Sequence, residues 1–334
     1  MMTLSLPPPA KLHPPLSLKP PNPSRLKFSS SSSPQSLKLK TRLIHLINTG
    51  HLNQAISALD LILQEPCATP LDLLTSYSLL LKSCIRLRNF ELGKLLHAKL
   101  THSQLEPDSV LLNSLISLYS KCGDPATANT IFENMGIKRD LVSWSAMISC
   151  FAHNSMELQA IVTFFEMLES GHCPNEYCFS AVIRACSNME YVSIGRVIFG
   201  SVIKTGYFES DVCVGCALID MFAKGGCDLD SAYKVFEQMP ERNVVTWTLM
   251  ITRFTQLGYP RDAIDLLLDM VLSEHVPDRF TLSGVISACA ELELLSLGQQ
   301  LHSRVIRSGL ASDVCVGCSL VDMYAKCAGG LFCG

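Results

Sequence analysis

Two Cys-x-x-Cys pairs have the residue type and spacing that could do chemistry: Cys213 with Cys216, and Cys315 with Cys318. This spacing suits one half of a tetrahedral zinc site, which needs two further ligands, and it also occurs in thiol redox sites. The pairs lie 102 residues apart, in equivalent places of an internal repeat. Duplication of the repeat explains both pairs without a metal. We therefore favour the interpretation that the chain has no metal site and no cofactor.

The composition indicates buried helices rather than a membrane protein, a disordered chain or a disulfide scaffold. Of 334 residues, 48% are apolar and 17% are charged, which is too apolar for a disordered chain. Polar residues interrupt every window of 18 residues, so no membrane-spanning helix is expected and membrane insertion is not predicted. The 15 cysteines are scattered along a long chain. We interpret them as reduced, small residues at helix contacts.

Residues 1–40 differ from the rest of the chain. They contain six basic residues, no acidic residue, many prolines and a serine run from Ser29 to Ser33. A basic, Ser-rich and acid-free N-terminus is typical of an organelle transit peptide, and it predicts a disordered segment. Frequent Ser and Pro with little Arg favour the chloroplast, with the mitochondrion as the alternative.

The charge of residues 41–334 limits how a polyanion would bind. Since six of the 27 basic residues and none of the 30 acidic residues lie in the first forty, the remainder has a net charge of about −9 with neutral histidines. A non-specific nucleic-acid binder is normally basic. Any nucleic acid would therefore have to bind in a local groove and not through the overall field of the protein.

Three positions recur at offsets of 102 or 103 residues, which indicates an internal repeat. A cysteine is followed nine residues later by a glycine, and four residues after that by a histidine or phenylalanine. The three sets are Cys84, Gly93 and His97; Cys186, Gly195 and Phe199; Cys289, Gly298 and His302. Trp144 and Trp247 have the same offset, as do the two Cys-x-x-Cys pairs.

Each 103-residue period divides into three units of 32 to 36 residues, and each unit has the pattern of two helices joined by a turn. In residues 141–175, for example, Gly171 and Pro174 are expected to end the second helix. The predicted units are 74–108, 109–140, 141–175, 176–211, 212–243, 244–278, 279–313 and an incomplete 314–328. Residues 41–73 are predicted to form a degenerate capping repeat, and 329–334 an irregular tail.

One helix pair cannot bury its apolar faces alone, whereas a row of pairs can. The predicted fold class is therefore all-α, an α-α superhelix or solenoid of helix-turn-helix repeats. We expect the first helices of the units to line a concave groove.

Over residues 41–328 the chain resembles the plant pentatricopeptide repeat (PPR) proteins of the PLS class. The motifs that carry the resemblance are LIDMFAK at 218–224, LVDMYAKC at 320–327, VFEQMPERN at 235–243 and GQQLH at 298–302. Tetratricopeptide repeats have a similar period and bind peptides, but they favour a Trp/Gly/Tyr pattern that this chain does not follow.

The resemblance implies single-stranded organellar RNA as the partner, with about one nucleotide bound per repeat. It also implies that the fifth and last residues of a unit read the base edge while neighbouring apolar side chains sandwich the ring. Carried over to this chain, the reading pairs are Asn113 with Asp140 for U, Ser145 with Asn175 for A, and Thr248 with Asp278 for G.

Other units give weaker candidates for RNA contact. The resemblance defines no base for the units 74–108, 176–211 and 279–313, here called the long units. The short units are 109–140, 212–243 and the incomplete 314–328, and in two of them a thiol stands where asparagine is usual, at Cys216 and Cys318. A thiol is a weak hydrogen-bond donor. The weaker candidates are Ser78 with Asp108, Ser180 with Asp211, Cys216 with Asn243, and Ser283 with Asp313.

Many PLS-class relatives continue into a C-terminal E/DYW region with cytidine deaminase chemistry, which needs a His-x-Glu segment and a later Pro-Cys-x-x-Cys. Neither pattern occurs here, and Pro66-Cys67 lacks the second cysteine. We therefore expect an RNA specificity factor for C-to-U editing that is not itself an enzyme and takes no small-molecule substrate. Editing or processing factors would supply catalysis in trans.

Two alternatives remain open at this point. The same groove could serve a protein–protein scaffold. The sequence pattern of a second helix, expected after Lys326-Cys327, does not follow. The other alternative is therefore a truncated gene product without independent function.

Overall fold

The computed structural model describes residues 34–65, 69–103, 105–226 and 228–329. Within these ranges the chain forms eighteen α-helices and one short 3-10 helix, Gly136–Lys138, and no strand. The all-α class predicted from the sequence is therefore confirmed. The residues fall into two compact units, one ending at Asn154 and the other beginning at Ser155.

The first unit contains seven helices. They are α1 (Pro34–Asn48), α2 (Leu52–Gln64), α3 (Pro70–Arg86), α4 (Phe90–His102), α5 (Ser109–Cys122), α6 (Pro125–Asn134) and α7 (Leu141–His153). Helices α1, α3, α5 and α7 pack in succession, each against the next, and each of α2, α4 and α6 packs between two of them. The unit is thus a row of helical hairpins.

The second unit continues the same pattern of hairpins. Its helices are α8 (Glu157–Glu169), α9 (Glu176–Ala185), α10 (Val192–Thr205), α11 (Tyr207–Ser210), α12 (Val212–Gly225), α13 (Leu229–Gln238), α14 (Val244–Gln256), α15 (Pro260–Leu272), α16 (Arg279–Glu291), α17 (Leu295–Arg307) and α18 (Val314–Gly329). Helices α9, α12, α14, α16 and α18 pack in succession. None of the described helices in either unit is long and apolar enough to cross a membrane.

Close contacts explain the glycine that recurs after each repeated cysteine. A Cβ added at Gly93 would lie 2.5 Å from Leu118 Cδ1, and one added at Gly298 would lie 2.5 Å from Met323 Sδ. At Gly195 the added Cβ would lie 2.1 Å from Met221 Sδ. Only glycine allows the second helix of a long unit to approach the next first helix this closely. Gly171, which was expected to end α8, has a φ of +82°, a left-handed conformation that favours glycine after the end of a helix.

Aromatic contacts repeat with the same offsets. Trp144 packs edge-on against Phe132 with ring centroids 4.9 Å apart, and Trp247 packs in the same way against Phe236 at 4.8 Å. The repeated histidines are packing residues. His97 Nδ1 lies 2.8 Å from the Tyr119 hydroxyl, and His302 Nδ1 lies 3.0 Å from that of Tyr324. Both repeats therefore use the same side-chain contacts between neighbouring helices.

Helix α1 begins at Pro34, so it overlaps the segment predicted to be disordered over residues 34–40; residues 1–33 lie outside the described residues. The overlap has a physical cause in a buried ion pair. Lys40 Nζ lies 2.8 Å from Asp72 Oδ2, and both side chains are almost fully buried. Burial alone would raise the pKa of Asp72, but hydrogen bonds from Lys40 and Thr69 outweigh it and lower the pKa. Composition alone could not reveal that one lysine of residues 1–40 has a buried partner.

The cysteines divide between buried and exposed positions. Six of the described cysteines are buried, and burial raises the pKa of the Cys84 thiol to about 11 and that of Cys186 to about 12. These are inert packing residues, as expected. Cys173, Cys213, Cys315 and Cys318 are exposed instead, so the interpretation as buried residues fails for them.

Candidate nucleic-acid interface

The last residue of each unit is the N-cap of the next first helix. Its side-chain oxygen accepts a hydrogen bond from a backbone N–H of the first turn, which satisfies one of the otherwise unpaired donors there. This arrangement holds for Asp108, Asp140, Asn175, Asp211, Asn243, Asp278 and Asp313. Capping therefore fixes each of these side chains at a helix N-terminus and occupies one of its two terminal atoms.

Asn113 and Asp140 are in direct contact. Asn113 lies on α5 and is only 8% exposed, and its Nδ2 donates to Asp140 Oδ1 over 3.2 Å. The same Oδ1 caps α7 and accepts from the Ser143 hydroxyl at 2.9 Å. Burial by itself would raise the pKa of Asp140, but the hydrogen bonds from Ser143 and Asn113 keep it below its usual value. Asp140 is therefore a carboxylate at neutral pH.

The amide oxygen of Asn113 is left without a partner. It is buried, and no described residue donates a hydrogen bond to it. The amide cannot be turned over, since its oxygen would then face the Asp140 carboxylate. A buried acceptor without a donor costs about 1–3 kcal/mol. A ligand that donates to this oxygen would recover that energy.

Thr248 and Asp278 are connected through a third residue. Thr281 is fully buried, and its hydroxyl donates to Asp278 Oδ1 over 2.8 Å. Thr248 Oγ1 lies 2.6 Å from Thr281 Oγ1. Because the proton of Thr281 is directed to the carboxylate, Thr248 must donate in this contact. Its lone pairs, together with Asp278 Oδ2, are then two acceptors on the edge of the interface.

The asparagine caps leave the opposite chemical group available. Asn175 Oδ1 accepts from the Cys178 N–H at 3.0 Å, and Asn243 Oδ1 accepts from two backbone N–H groups. In both residues the oxygen is therefore turned towards the helix and the amino group is left as a donor. Ser145, the fifth residue of its unit, lies half-buried on α7. Its hydroxyl can both donate and accept.

In the long units the fifth residues mostly contact the protein itself. Ser180 donates to the Tyr177 carbonyl over 3.2 Å, and Ser283 lies 2.8 Å from the Ser319 hydroxyl. The Ser78 hydroxyl, by contrast, is buried and has no hydrogen-bond partner among the described residues. The last residue of one long unit is also occupied, since Arg279 lies 3.5 Å from Asp313 Oδ2. Of the three long units, 279–313 therefore has both of its candidate polar groups engaged internally.

Cys213 and Cys216, in the unit 212–243, are weak hydrogen-bonding groups. Burial raises the pKa of the Cys216 thiol to about 11, and it also raises the pKa of Cys213. Both are thiols at neutral pH and weak hydrogen-bond donors. Among the described residues, no three His, Cys, Asp or Glu side chains are grouped so that they could hold a metal.

No side chain for stacking against the base rings was predicted from the sequence, and the structure supplies candidates. The second residue of most first helices is an apolar side chain left more than half exposed next to the N-cap. These residues are Val110, Val142, Tyr177, Val245 and Phe280, with exposed fractions of 53%, 59%, 64%, 63% and 51%. Exposed apolar residues at one repeated position are the signal that could have identified them. In these five helices, an exposed apolar side chain therefore lies beside the fixed polar group of the cap.

The sequence is similar to known repeat proteins. A sequence model described as the PPR repeat family matches residues 242–291, and one described as PPR repeat matches residues 110–138 and 142–172. A chloroplastic pentatricopeptide repeat-containing protein of Arabidopsis thaliana is 59% identical over 92% of this chain. Another, also chloroplastic, is 32% identical over 76% of it. The chain spans 36% and 26% of these two relatives.

The fold is similar to that of a solved repeat protein. The crystal structure of PPR10 from maize matches with a TM-score of 0.59 and 19% identity, over 86% of this chain and 42% of that one. PPR10 in complex with an 18-nucleotide psaJ RNA element matches with a TM-score of 0.50. The predicted solenoid class is thereby confirmed, and the chloroplastic relative confirms the predicted plastid location. From its repeats, its relatives and its fold, the chain is a pentatricopeptide repeat protein.

Proposed function

We propose that this chain binds single-stranded RNA sequence-selectively, with one base at each readable unit. The observation that carries the proposal is the fixed orientation of the last residues. An aspartate cap leaves an acceptor, while an asparagine cap leaves a donor. An acceptor suits uracil and guanine, which carry a ring N–H on the Watson–Crick edge. A donor suits adenine and cytosine, whose corresponding ring nitrogen is an acceptor.

The unit 244–278 fits guanine. Thr248 Oγ1 can accept because its own proton is donated to Thr281, and Asp278 Oδ2 can accept because only Oδ1 is taken by Thr281 and the helix cap. Guanine is the base with two adjacent donors, its ring N–H and its exocyclic amino group. Two hydrogen bonds of this kind contribute about 1–3 kcal/mol of discrimination against a wrong base.

The unit 109–140 fits uracil. The second carboxylate oxygen of Asp140 accepts the ring N–H, and the remaining amino proton of Asn113 donates to a flanking carbonyl oxygen. A water or sugar hydroxyl that donates to the buried Asn113 carbonyl oxygen would satisfy the remaining acceptor. The unit 141–175 fits adenine. The side-chain amino group of Asn175 donates to the ring nitrogen of adenine, and the Ser145 hydroxyl accepts from the exocyclic amino group of the base.

Binding energy in this scheme comes from stacking and base-edge hydrogen bonds more than from phosphate attraction. The exposed second residues, such as Val245 and Phe280, give the base rings an apolar surface. The acidic charge of residues 41–334 and the carboxylate caps disfavour indiscriminate binding of polyanions. The chain is therefore a selective binder and not a general one.

In the cell we propose that the bound RNA is a chloroplast transcript and that the chain acts as a specificity factor in its C-to-U editing. The mature protein would mark a site and recruit the editing or processing factor that supplies the chemistry. The support is the resemblance of the repeats to the PLS class together with the chloroplastic relatives. Passive masking of a transcript would need only the binding described above.

The direct test is selection of the full chain against a random RNA pool. With one nucleotide per unit, the enriched motif should contain U next to A, and G separated from that A by two variable positions. Thr248→Val removes one acceptor while leaving the Asp278 cap in place. It should lower affinity for the selected RNA by about tenfold. Thr255→Val, on the same helix and bonded only to the Ile251 carbonyl, is the matched control.

Two results would overturn the proposal. One is the absence of any enriched RNA, which would favour the protein–protein scaffold. The other is an enriched motif that responds equally to Thr248→Val and Thr255→Val, because base reading by the fifth residue would then be wrong. Circular dichroism of each variant keeps loss of binding separate from loss of folding.

A further inference from the structure

The peptide group between Arg242 and Asn243 determines how the last residue of the unit 212–243 is presented. Both of its polar groups are bonded. The Asn243 N–H donates to Thr246 Oγ1 over 3.0 Å, within the capping box of α14. On the other edge, the Arg242 carbonyl oxygen lies 2.8 Å from Nε2 of His275. Because a peptide group is planar, bonds on its two edges fix its orientation and constrain the direction of the Asn243 side chain.

His275 belongs to the following unit, three residues before Asp278. Since a carbonyl oxygen only accepts, Nε2 of His275 carries the proton and donates. Two further contacts hold the residue in place. Its backbone N–H donates to the Met270 carbonyl over 3.1 Å at the end of α15, and its ring packs against Trp247 with centroids 6.2 Å apart. One side chain therefore connects the end of a unit to the linker before it.

The linker that carries Asn243 is also held by stacking. The Arg242 guanidinium lies 5.3 Å from the ring centroid of Phe236 and 5.9 Å from that of Trp247. Both aromatic side chains are buried. The same tryptophan thus contacts both partners of the hydrogen bond between His275 and Arg242.

Asp278, the other reading residue near His275, is held by contacts that do not involve the imidazole ring. Its N–H donates to Thr281 Oγ1 over 3.3 Å, and its Oδ1 accepts from the Thr281 N–H at 2.8 Å. Pro277, immediately before it, is buried. A change of the His275 ring that keeps the backbone should therefore affect Asn243 and leave Asp278 in place.

We propose that His275 is a positioning residue for RNA recognition by the unit before its own, and that it sets the base preference of the unit 212–243 through Asn243. This role presupposes the RNA binding proposed above. Asn243 Oδ1 is occupied by the cap, so its amino group is the donor, which suits adenine or cytosine. The fifth residue, Cys216, is a weak donor, so Asn243 carries most of the selection. Base selection by this unit is then not a property of the unit alone.

The experiment uses the full chain and the RNA obtained by selection, in four versions. They differ only at the variable nucleotide next to the G, on the side of the A, which faces the unit 212–243. The wild type should bind the A and C versions about threefold to tenfold more tightly than the G and U versions, the range expected for one hydrogen bond. His275→Phe keeps aromatic packing against Trp247 but removes the donor, so the ratio should fall below about twofold. His275→Gln can place an amide N–H near the position of Nε2 and should restore the ratio.

His302→Phe is the matched control. It removes a comparable contact between helices, that of Nδ1 with the Tyr324 hydroxyl at 3.0 Å. Phenylalanine already occurs at the equivalent position of the repeat, Phe199. This variant should leave the preference at all nucleotides unchanged, and thermal melting of each variant should show that it folds.

An undiminished preference for A and C in His275→Phe would overturn the proposal, and so would failure of His275→Gln to restore it. Equal loss of the G preference set by Asp278 would also overturn it, because the ring would then support the general fold and not Asn243. A wild type that selects G but shows no preference at the neighbouring nucleotide would overturn the role of His275 alone. Absence of RNA binding would overturn the proposed function together with it.

Discussion

The packed contacts between helices and the polar edge of the first helices differ in what the repeat keeps constant. At the packed contacts the residue type recurs, as with the glycines at 93, 195 and 298 and the tryptophans at 144 and 247. At the polar edge the position recurs while the residue changes. The fifth residue is Asn113, Thr248 or Cys216, and the cap is aspartate or asparagine.

The difference follows from the physics of each region. A packed helix contact tolerates one shape, because an added methyl group at Gly195 would overlap Met221. A helix N-cap tolerates aspartate and asparagine almost equally, so the residue is free to vary in what it offers a ligand. Substitutions in the two regions should therefore differ in what they change, stability at the packed contacts and RNA preference at the caps.

Lys40→Met should cost the most stability, because it leaves the Asp72 carboxylate buried without its cation. Removing one partner of a buried pair typically costs about 3–5 kcal/mol. Urea unfolding should show the loss, and Lys40→Met combined with Asp72→Leu should recover much of it. If Lys40→Met alone is neutral, the pair does not anchor α1.

The same pair gives a pH dependence. The pKa of Asp72 is lowered in the folded state, so its contribution is complete above the unfolded value of about 3.9 and is lost as the pH falls through the folded pKa. The difference in unfolding free energy between the wild type and the double variant should therefore shrink at acidic pH. A difference that stays constant down to pH 3 would contradict this account.

Gly195→Val should destabilise the chain by about 1–3 kcal/mol, since the packed core must move to admit it. Gly200→Val is a matched control on the same helix, where an added Cβ meets no described atom within 4 Å. The melting temperatures of the two variants should differ clearly. Equal values would mean that the repeated glycine is not required for packing.

Asp278→Ala and Asp278→Asn separate capping from base reading. The alanine variant loses the cap, at a cost of about 1 kcal/mol, whereas asparagine preserves it. In binding assays, Asp278→Asn should change the preference at that nucleotide from G towards A, because a donor replaces the acceptor. If Asp278→Asn leaves the base preference unchanged and Asp278→Ala leaves the stability unchanged, Asp278 has neither role.

The smallest effect should be that of salt on RNA affinity. Each phosphate contact with a single strand contributes a slope of about −0.7 to log K against log salt. Because residues 41–334 are acidic, we expect a slope no steeper than about −2, corresponding to few such contacts. Filter binding from 50 to 300 mM salt would measure it. A steep slope would show that phosphate attraction dominates after all.

The helices could be predicted from the sequence, whereas the contacts between distant residues could not. The apolar spacing of residues 141–175, together with Gly171 and Pro174, was enough to predict paired helices, since spacing and turn residues are local properties. Resemblance indicated Thr248 and Asp278 as a pair, but Thr281, which joins them, was invisible because it lies 33 residues from Thr248. The stacking residues were also missed, since exposure of Val245 or Phe280 cannot be deduced from an apolar letter.

The sequence by itself determined the all-helical class, the repeat period and the identity of the polar groups, because these depend on local spacing and on duplication. Which atom of each cap is left for a ligand, and that Lys40 belongs to the folded helices, follow only from the three-dimensional structure. Each of these depends on contacts between residues distant in the chain, and burial and hydrogen-bond direction exist only once those residues are brought together.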